Sequence, residues 1–366
     1  MTLLDNRQGY DSPHLRAQVL EPAGSNSSAW LAGLAVAHTT ASLTQAEVLE
    51  RLGLSDDEFA QGIFDRAGVR RRRLNLTDDH LARTLQGRAE EAEEELLDVA
   101  TRTIDQLGID PRAIGTIFSS SLYSLGCPTL AHRLIEHYKL PPDTPKYHVT
   151  GVGCASAVPL FRLGVQALHH DPSRDVLVVA AESMSSILAA ARADDPRAKT
   201  VGSAIFGDGC AAALLSGDGT RGGPRILATR VHQIPGTLDA VKLAADSHDS
   251  YLHLDRQLPQ LAVRGLRELV ARFLAAHDLG PENVAHWIVH PGGRRILEGT
   301  RDALRLDDDH VAASWQALAD HGNVGTPSIL YVLESTIDVR SPSPGEHALA
   351  VTIGPGVTVG LMLLRF

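Results

Sequence analysis

The sequence has few cysteines. Only Cys127, Cys154 and Cys210 occur among its 366 residues. So small and odd a set in a chain of this length is not a disulfide framework, and no two of the three have the spacing of metal ligands. The scarcity fits a reducing compartment, so we expect a cytoplasmic protein. Each cysteine is then either core filling or a reactive thiol.

An excess of basic residues and a long apolar run are also missing. Lysine and arginine number 34 against 44 acidic residues, which gives a formal net charge of −10. This balance argues against nucleic-acid binding through the overall field. No apolar run approaches the ~18 residues of a membrane span. The N-terminal region lacks the pattern of a signal peptide, and its Ser, Asn, Gly and Pro content predicts a flexible leader over residues 1–27.

Strand-like and helix-like segments alternate along most of the chain. Runs such as DVLVVAAE and ALAVTIG are typical of buried strands. The segment TQAEVLERLGL carries the threonine and glutamate of a helix capping box. This alternation predicts an α/β fold with largely parallel sheets covered by helices.

The sequence also contains an internal similarity. GCASAVPLFRL resembles GNVGTPSILYV, and strand-like runs follow 21 residues after Cys154 and 24 residues after Asn323. IFGDGCAAALL has its counterpart in TIGPGVTVGLMLL. Landmarks in one order predict two related halves, which we place at residues 28–220 and 221–366. If a pseudo-twofold axis relates the halves, Cys154 and Asn323 start equivalent helices and converge on one site.

Cys154 lies where a strand-like segment turns into a helix. A thiol near the unsatisfied N–H groups and positive end of a helix dipole is favoured as a thiolate. Its small neighbours Gly153, Ala155 and Ser156 would let a substrate carbonyl approach closely. A buried structural cysteine is the alternative interpretation.

His290 and Asn323 are the two candidate partners of this thiol. His290 ends a strand in HWIVHPGGRRIL, at the edge where α/β sheets collect their sites. It could stabilise a thiolate as imidazolium or donate to an oxyanion as neutral imidazole. Asn323 in DHGNVGTPSIL could serve as a helix N-cap, or its amide could be a second oxyanion donor. A nucleophile with two donors suits carbon–carbon bond formation through a thioester.

Five stretches resemble the type III polyketide synthases, the chalcone synthase-like branch of the thiolase-fold condensing enzymes. They run in order from about residue 110 to residue 366: GVGCASAVPLFRL, VGSAIFGDGCAAALL, WIVHPGGRRIL, HGNVGTPSILYVL and IGPGVTVGLMLLRF. The resemblance implies an α/β protein with the five-layered αβαβα thiolase fold, built from two halves related by a pseudo-twofold axis. It also implies a homodimer that uses acyl-CoA and malonyl-CoA as substrates and needs neither cofactor nor metal.

The resemblance assigns roles residue by residue. Cys154 falls on the nucleophile that holds the starter and the growing chain. His290 and Asn323 fall on the pair that supports decarboxylation and the oxyanion. Phe206 falls on the gatekeeping phenylalanine between the acyl-CoA tunnel and the cavity. The turn Gly354, Pro355 and Gly356 falls on the loop that shapes the cyclisation pocket.

Departures from the family pattern concern the pocket. Leu252 replaces the second gatekeeping phenylalanine, and Gly325 stands where a serine often lines the cavity. Ile187, with neighbouring alanines, falls near the expected cavity wall. Cys127 falls near the loop that reaches across the dimer into the partner's cavity. Together these residues predict an apolar pocket more open than a planar aromatic starter needs.

The basic residues that hold CoA phosphates in the family are only partly present. Arg66 falls on a family position, and Arg70 opens the run RRRR just after it. This run is either a CoA clamp or a solvated or partner-binding face. Its charge would also suit the acidic surface of an acyl carrier protein, a possible starter donor.

The resemblance therefore implies iterative condensation of malonyl-CoA onto an acyl starter bound to Cys154, followed by cyclisation. The pocket favours a medium- or long-chain starter and an alkylpyrone or alkylresorcinol product. A malonyl-primed tetrahydroxynaphthalene-type synthase is an alternative. Two others are an initiation-type β-ketoacyl carrier-protein synthase, which condenses once, and an acyltransferase that does not extend its substrate. The IFGDG and terminal GPG motifs favour the iterative enzyme.

Overall fold

The segments that carry strand and helix patterns form those elements. The computed structural model describes residues 29–39, 42–122, 127–192, 194–245 and 250–366, and the expected leader lies outside these ranges. Thr44 caps the first helix, and its hydroxyl and the Glu47 carboxylate form the reciprocal bonds of a capping box. None of the helices in the described ranges combines the length and apolar character that crossing a membrane requires.

The helices and strands follow one another along the whole described chain. In order they are β1 (Ala29–Ala37), β2 (Ser42–Thr44), α1 (Gln45–Arg51), α2 (Glu58–Arg66), β3 (Arg71–Arg73), α3 (Asp78–Ala82), α4 (Leu85–Asp105), β4 (Ile114–Ser120), α5 (Leu130–Tyr138), β5 (Lys146–Val149), α6 (Ala157–His170), β6 (Asp175–Glu182), α7 (Arg197–Ile205), β7 (Gly209–Ser216), β8 (Arg225–Gln233), β9 (Val241–Ala245), β10 (Ser250–Leu254), α8 (Leu258–Val263), α9 (Leu266–Ala275), β11 (Val284–Val289), α10 (Arg294–Leu304), α11 (Ala312–His321), α12 (Ser328–Ser335), β12 (His347–Gly354) and β13 (Thr358–Arg365).

Nine of the described strands form one hydrogen-bonded sheet in the order β11-β12-β13-β8-β1-β7-β6-β4-β5. It consists of two groups that meet where Ala29 and Trp30 of β1 pair with Ile226 and Arg225 of β8. From this junction outward, the pairings in each group are antiparallel, antiparallel and then parallel. Such a repeat is what two related halves would produce, and the division into residues 28–220 and 221–366 stays a prediction.

The expectation of largely parallel sheets is wrong. Of the eight pairings within the described sheet, five are antiparallel and three are parallel. The reason is that β7 and β13 run back along β6 and β12 instead of repeating their direction. An apolar run shows that a strand is buried, but it carries no information about the direction of its neighbours.

Alternating side chains place helices on both faces of each group. In β6, Val176 and Val178 join the central apolar cluster, while Leu177 and Val179 join an outer one, because successive side chains point to opposite faces. Helices α6 and α12 fill the central cluster, and strands of both groups contribute to it. Helices α4 and α5 cover the outer face of the first group, and α9 and α10 that of the second. This arrangement is the five-layered αβαβα fold.

Candidate active site

Glycines allow the turn that carries Cys154 to pack closely against the Gly-Pro-Gly loop. Cys154 lies in a short 3₁₀ turn, Gly153–Ala155, just before α6. Gly153 has φ +55°, and a Cβ there would lie 2.9 Å from the Pro355 ring. A Cβ at Gly354 would lie 2.6 Å from the Ala155 nitrogen. The Gly-Pro-Gly loop therefore packs directly against the turn that carries the thiol.

Main-chain hydrogen bonds join Asn323 to the expected gatekeeper. The Asn323 N–H donates to the Ile205 oxygen at 2.7 Å, and the Gly207 N–H donates to the Asn323 oxygen at 3.0 Å. These bonds form a parallel bridge between Phe206 and Asn323. The IFGDG and HGNVG motifs, far apart in the sequence, are therefore a single local structure.

The side-chain amide of Asn323 has a fixed orientation. Its Oδ1 accepts hydrogen bonds from the Gly325 N–H at 2.9 Å and the Ser328 hydroxyl at 3.4 Å. The Cys154 thiol also donates to this oxygen, with an Sγ···Oδ1 distance of 3.7 Å. The N-cap position of α12 belongs to Pro327, so the capping interpretation of Asn323 is wrong. The Nδ2 group is left as the donor for a ligand beside the thiol.

His290 follows β11 at the edge of the sheet. Its N–H donates to the Val351 oxygen at 2.9 Å, which places it beside the C-terminal end of β12. The ring is buried, and both ring nitrogens are without a hydrogen-bond partner in the described chain. A Cβ at Gly292 would lie 3.1 Å from the ring, so the glycine leaves room for the imidazole. A buried imidazole without a partner is free to bond to a substrate.

Burial shifts both reactive groups toward their neutral forms. Desolvation, followed by the charge of Glu182, raises the pKa of the Cys154 thiol to about 12. Burial lowers the pKa of His290 to about 3. The expectation that the helix terminus favours a thiolate is wrong for the free chain, because α6 begins beyond Cys154 and desolvation dominates. A thiolate therefore requires a compensating charge, such as a proton transferred to an imidazole.

The residues expected around the pocket meet in one apolar cluster. Phe206, Leu252 and Ile187 are all buried in the cluster that covers the outer face of the second group. A Cβ at Gly202 would lie 3.5 Å from the Phe206 ring and 3.9 Å from the Leu252 oxygen. The two expected gatekeepers therefore flank the same glycine of α7.

Gly325 does not open the pocket as expected. Its φ of +68° belongs to the left-handed region, and a Cβ there would lie 2.8 Å from Met184 Cε and 3.2 Å from Glu182 Oε1. Existing side chains therefore fill the space that a serine would occupy. Gly325 therefore adds no space to the pocket.

The expected CoA-binding arginines and Cys127 lie on the surface. Arg66 is exposed at the end of α2. Arg70 is exposed and donates to Asp320 at 2.7 Å, which neutralises part of its charge. Cys127 is an exposed free thiol shortly before α5, and nothing in the described chain brings it to Cys154.

The burial of two ionisable residues near the site was not expected from the sequence. Glu182 ends β6, accepts from the Leu122 N–H at 2.7 Å, and has its pKa raised to about 8 by desolvation. Arg72, in the middle of the basic run, is completely buried. A glutamate that closes the apolar run VLVVAA of β6 is a signal for the first. Strand alternation within RRRR could have indicated the second.

Comparison with solved structures identifies the class of protein. A polyketide synthase from the brown alga Ectocarpus siliculosus superposes with a TM-score of 0.86 at 26% identity, covering 94% of this chain and 99% of that chain. A C-terminal type III polyketide synthase domain from Dictyostelium has a TM-score of 0.82 at 18% identity, over 92% of this chain and 99% of its own. The fold is thiolase-like.

Sequence comparison then identifies the family. Residues 35–278 match the FAE1/type III polyketide synthase-like protein family, and residues 226–366 match the C-terminal domain of chalcone and stilbene synthases. The chain belongs to the type III polyketide synthase family. It is an acyltransferase that forms carbon–carbon bonds, as the resemblance implied.

Individual relatives differ in their named products. A 1,3,6,8-tetrahydroxynaphthalene synthase of Streptomyces peucetius subsp. caesius is 32% identical over 72% of this chain and 70% of its own length. A 3,5-dihydroxyphenylacetyl-CoA synthase of Amycolatopsis balhimycina is 29% identical over 92% of each chain. An alpha-pyrone synthesis polyketide synthase-like protein of Mycobacterium tuberculosis is 27% identical over 73% of this chain and 69% of its own.

Proposed function

We propose that the chain extends an acyl starter, bound as a thioester to Cys154, by repeated decarboxylative condensation with malonyl-CoA and then cyclises the product. The observation that carries this proposal is the contact between Cys154 and Asn323. The thiol lies 3.7 Å from Oδ1, and the other bonds of that oxygen turn Nδ2 into the donor available to a ligand.

Loading begins with proton transfer from Cys154 to His290. The resulting thiolate attacks the carbonyl carbon of an acyl-CoA, and the tetrahedral intermediate expels the CoA thiolate, which takes up the proton. In the free chain both pKa shifts oppose this transfer, because burial disfavours the thiolate and the imidazolium alike, so the proposed transfer requires that the two opposite charges form together as a pair. CoA leaves, and Cys154 carries the acyl group.

Extension needs donors where negative charge develops. The carbon–carbon bond to the carboxylate of malonyl-CoA breaks, carbon dioxide leaves, and the electron pair moves onto the thioester oxygen as an enolate. His290 and the Asn323 Nδ2 group donate to this oxygen in the proposed mechanism. The enolate carbon then attacks the acyl group on Cys154 and releases the sulfur, which yields a β-ketoacyl-CoA for the next round.

We propose a medium- or long-chain acyl starter and an alkylpyrone or alkylresorcinol product. The apolar cluster that contains Ile187, Phe206 and Leu252 supports an aliphatic chain, because apolar surface favours apolar ligands. Leu252 supports it further, since a leucine leaves more space than the phenylalanine of the family pattern. The 32% identical relative named as a tetrahydroxynaphthalene synthase supports malonyl priming as the competing candidate.

We make three further proposals, on CoA binding, on the oligomeric state and on the compartment. Arg66 receives a CoA phosphate, and Arg70, already paired with Asp320, contributes less to CoA binding or to a docked acyl carrier protein. A homodimer forms through β5, an edge strand that exposes 55% of the Tyr147 side chain. The enzyme works in the cytoplasm, where the three free cysteines stay reduced.

Product analysis by mass spectrometry tests the proposed function. The purified protein is incubated with malonyl-CoA and acyl-CoA starters of increasing chain length. We expect products whose masses equal the starter plus several malonyl-derived units, with yield rising from short to medium chains. A product formed equally well from malonyl-CoA alone would support malonyl priming. A single condensation, or no extension with any starter, would contradict the proposal.

A further inference from the structure

A cavity lies on the outer face of the second strand group. It is bounded by β8, β13 and the junction of α8 and α9, and its volume is about 190 Å³, room for roughly six water molecules. None of the residues proposed above for the reaction lines it. Its floor is apolar, because Ile234, Leu266 and Val359 are buried there.

The walls of this cavity carry an excess of positive charge. Arg230, Arg264 and Arg272 line it, against one acidic residue, Glu268. Within the described ranges no ion pair involves Arg230 or Arg272, and Arg264 donates only to the main-chain oxygen of Pro235, at 2.7 Å. Burial and, after it, the repulsive charge of Arg272 lower the pKa of Arg230. Like charges facing one cleft concentrate anions there.

The start of α9 adds donors to the same cavity. Gly265, in the left-handed conformation, is the N-cap residue of this ten-residue helix, and no side chain caps it. Gly265 and Leu266 both line the cavity. The first N–H groups of a helix lack internal partners and favour negative charge. An uncapped helix end beside three arginines, of which Arg264 and Arg272 are exposed and Arg230 is partly buried, is an arrangement that favours an anion.

We propose that this cavity binds an amphiphilic oxyanion, a carboxylate or phosphate group attached to a short apolar tail. Arg230 and Arg272 bind the head group by paired N–H donors, the arrangement in which guanidinium groups recognise carboxylate and phosphate. The tail lies over Ile234, Leu266 and Val359. The site is independent of the proposed function, because it shares no residue with it.

Calorimetric titration of the full chain tests this site. Octanoate and octyl phosphate carry both parts of the ligand, octanol carries only the tail, and inorganic phosphate only the head group. We expect saturable binding of octanoate, octyl phosphate or both. The ligand with the higher affinity shows whether the cavity prefers a carboxylate or a phosphate head group. Octanol and inorganic phosphate are expected to bind at least tenfold more weakly. Added salt should lower the affinity for the amphiphile.

Variants locate the binding. We expect the affinity for the amphiphile to fall by about tenfold or more in Arg230→Gln and in Arg272→Gln, because each substitution removes charged hydrogen bonds. Arg267→Gln is the matched control, an exposed arginine of α9 outside the cavity lining, and should bind as the unmodified protein does. If circular dichroism shows that either variant is misfolded, Arg264→Gln, at an exposed position of the cavity lining, takes its place and is expected to weaken binding of the amphiphile in the same way.

The proposal is overturned if no amphiphile binds saturably, or if the arginine variants bind as tightly as the Arg267→Gln control. It is equally overturned if octanol binds as well as the amphiphiles, since the arginines would then play no part. Equal binding of inorganic phosphate would likewise show that the apolar floor of the cavity plays no part. Product formation from malonyl-CoA is measured separately, so failure of the cavity and failure of the proposed reaction give different results.

Discussion

Arg72 donates a hydrogen bond from Nη1 to the main-chain oxygen of Phe206 at 2.8 Å, although its side chain is completely buried. Its stem passes between two glycines: a Cβ at Gly207 would lie 3.2 Å from Arg72 Cβ, and one at Gly322 3.4 Å from Arg72 Cδ. Arg72 therefore connects the gatekeeper loop to the loop that precedes Asn323. Both positions require glycine because of backbone atoms that lie closer still: a Cβ at Gly207 would lie 2.6 Å from the His321 oxygen, and one at Gly322 would lie 2.5 Å from the Ile205 oxygen.

Replacing Arg72 by methionine tests this connection. The charge of buried Asp208 acts favourably on Arg72, and removing one member of a buried charged pair typically costs about 3–5 kcal/mol, so Arg72→Met is assayed under conditions in which circular dichroism shows that it is folded. Without the bond to its carbonyl oxygen, Phe206 is expected to be held less firmly at its proposed position between the acyl-CoA tunnel and the cavity. We expect the ratio of acetyl-CoA to extended product, measured by chromatography with malonyl-CoA, to rise severalfold.

Two companion variants separate positioning from general damage. Arg71→Met changes the exposed neighbour in the same strand and should leave the ratio unchanged. Arg72→Lys keeps the charge and one donor and should give an intermediate ratio. An unchanged ratio in a folded Arg72→Met protein that still makes product would show that Arg72 does not position the gatekeeper.

Asn323→Asp is expected to suppress decarboxylation. The aspartate keeps the oxygen that accepts from Gly325 and Ser328 but replaces the Nδ2 donor with a second oxygen. Loss of one oxyanion donor typically costs about 10²–10³ in rate, with little change in KM. Carbon dioxide release from malonyl-CoA measures the effect. Asn283→Asp, at an exposed asparagine whose oxygen also accepts a main-chain bond, should retain full activity.

Glu182→Gln is expected to make Cys154 more reactive. The negative charge of Glu182 contributes to the raised pKa of the thiol, and Glu182 itself ionises near pH 8. Removing that charge lowers the thiol pKa, so alkylation of Cys154 by iodoacetamide should be faster, most clearly above pH 8. Peptide mass mapping follows the rate. Glu95→Gln removes another acid whose pKa burial raises; equal acceleration there would contradict the assignment.

Gly325→Ser is expected to destabilise the fold by more than its backbone conformation explains. Gly53 has a similar φ of +71°, with nothing within 4 Å of its Cβ position, whereas Gly325 faces Met184 and Glu182. Gly53→Ser therefore measures the strain alone. The free energy of unfolding in urea should be lower in Gly325→Ser by a further ~1–3 kcal/mol, the usual cost of overpacking. Equal losses would show that the neighbours move aside.

Two histidines are expected to make the protein less stable in acid, against the opposing contributions of buried carboxyls such as Glu182 and Glu95, whose raised pKa values let the folded chain hold protons that the unfolded chain releases. Burial holds the pKa of His290 at about 3 and that of His38 at about 4, below the ordinary value of 6.5. Below that value the unfolded chain binds protons at these two histidines that the folded chain does not, so their contribution to the free energy of unfolding falls as pH drops.

The expected slope is about 1.4 kcal/mol per pH unit for each histidine, down to the folded pKa, with no contribution above pH 6.5. Urea unfolding across mildly acidic pH measures it. His290→Gln should flatten the slope by its own share, and an unchanged slope would mean that His290 is protonated in the folded chain.

The sequence predicted the parts of the fold that local patterns determine. Apolar runs located β6 and β12, and the threonine and glutamate of the capping box located α1. Strand direction escaped prediction, because it depends on which segments return across the sheet. The burial of one arginine in RRRR was not predicted either. Charge alone indicated a surface position, whereas the alternation of side chains in β3 buries Arg72.

The candidate site was predictable to the same extent. Motif order placed Cys154 and Asn323 together, and the structure joins them through Sγ and Oδ1. The protonation of the thiol was not predictable, because it depends on desolvation and on Glu182, a residue distant in sequence. The role expected for Gly325 failed for a related reason: its surroundings come from β6 and the turn after it.

Intact-protein and peptide mass spectrometry after incubation with an acyl-CoA tests most directly whether the thiol beside Asn323 is the nucleophile. We expect one acyl adduct, on the peptide that contains Cys154, and its loss in Cys154→Ala. An adduct that persists in that variant, or that maps to Cys127 or Cys210, would contradict the account.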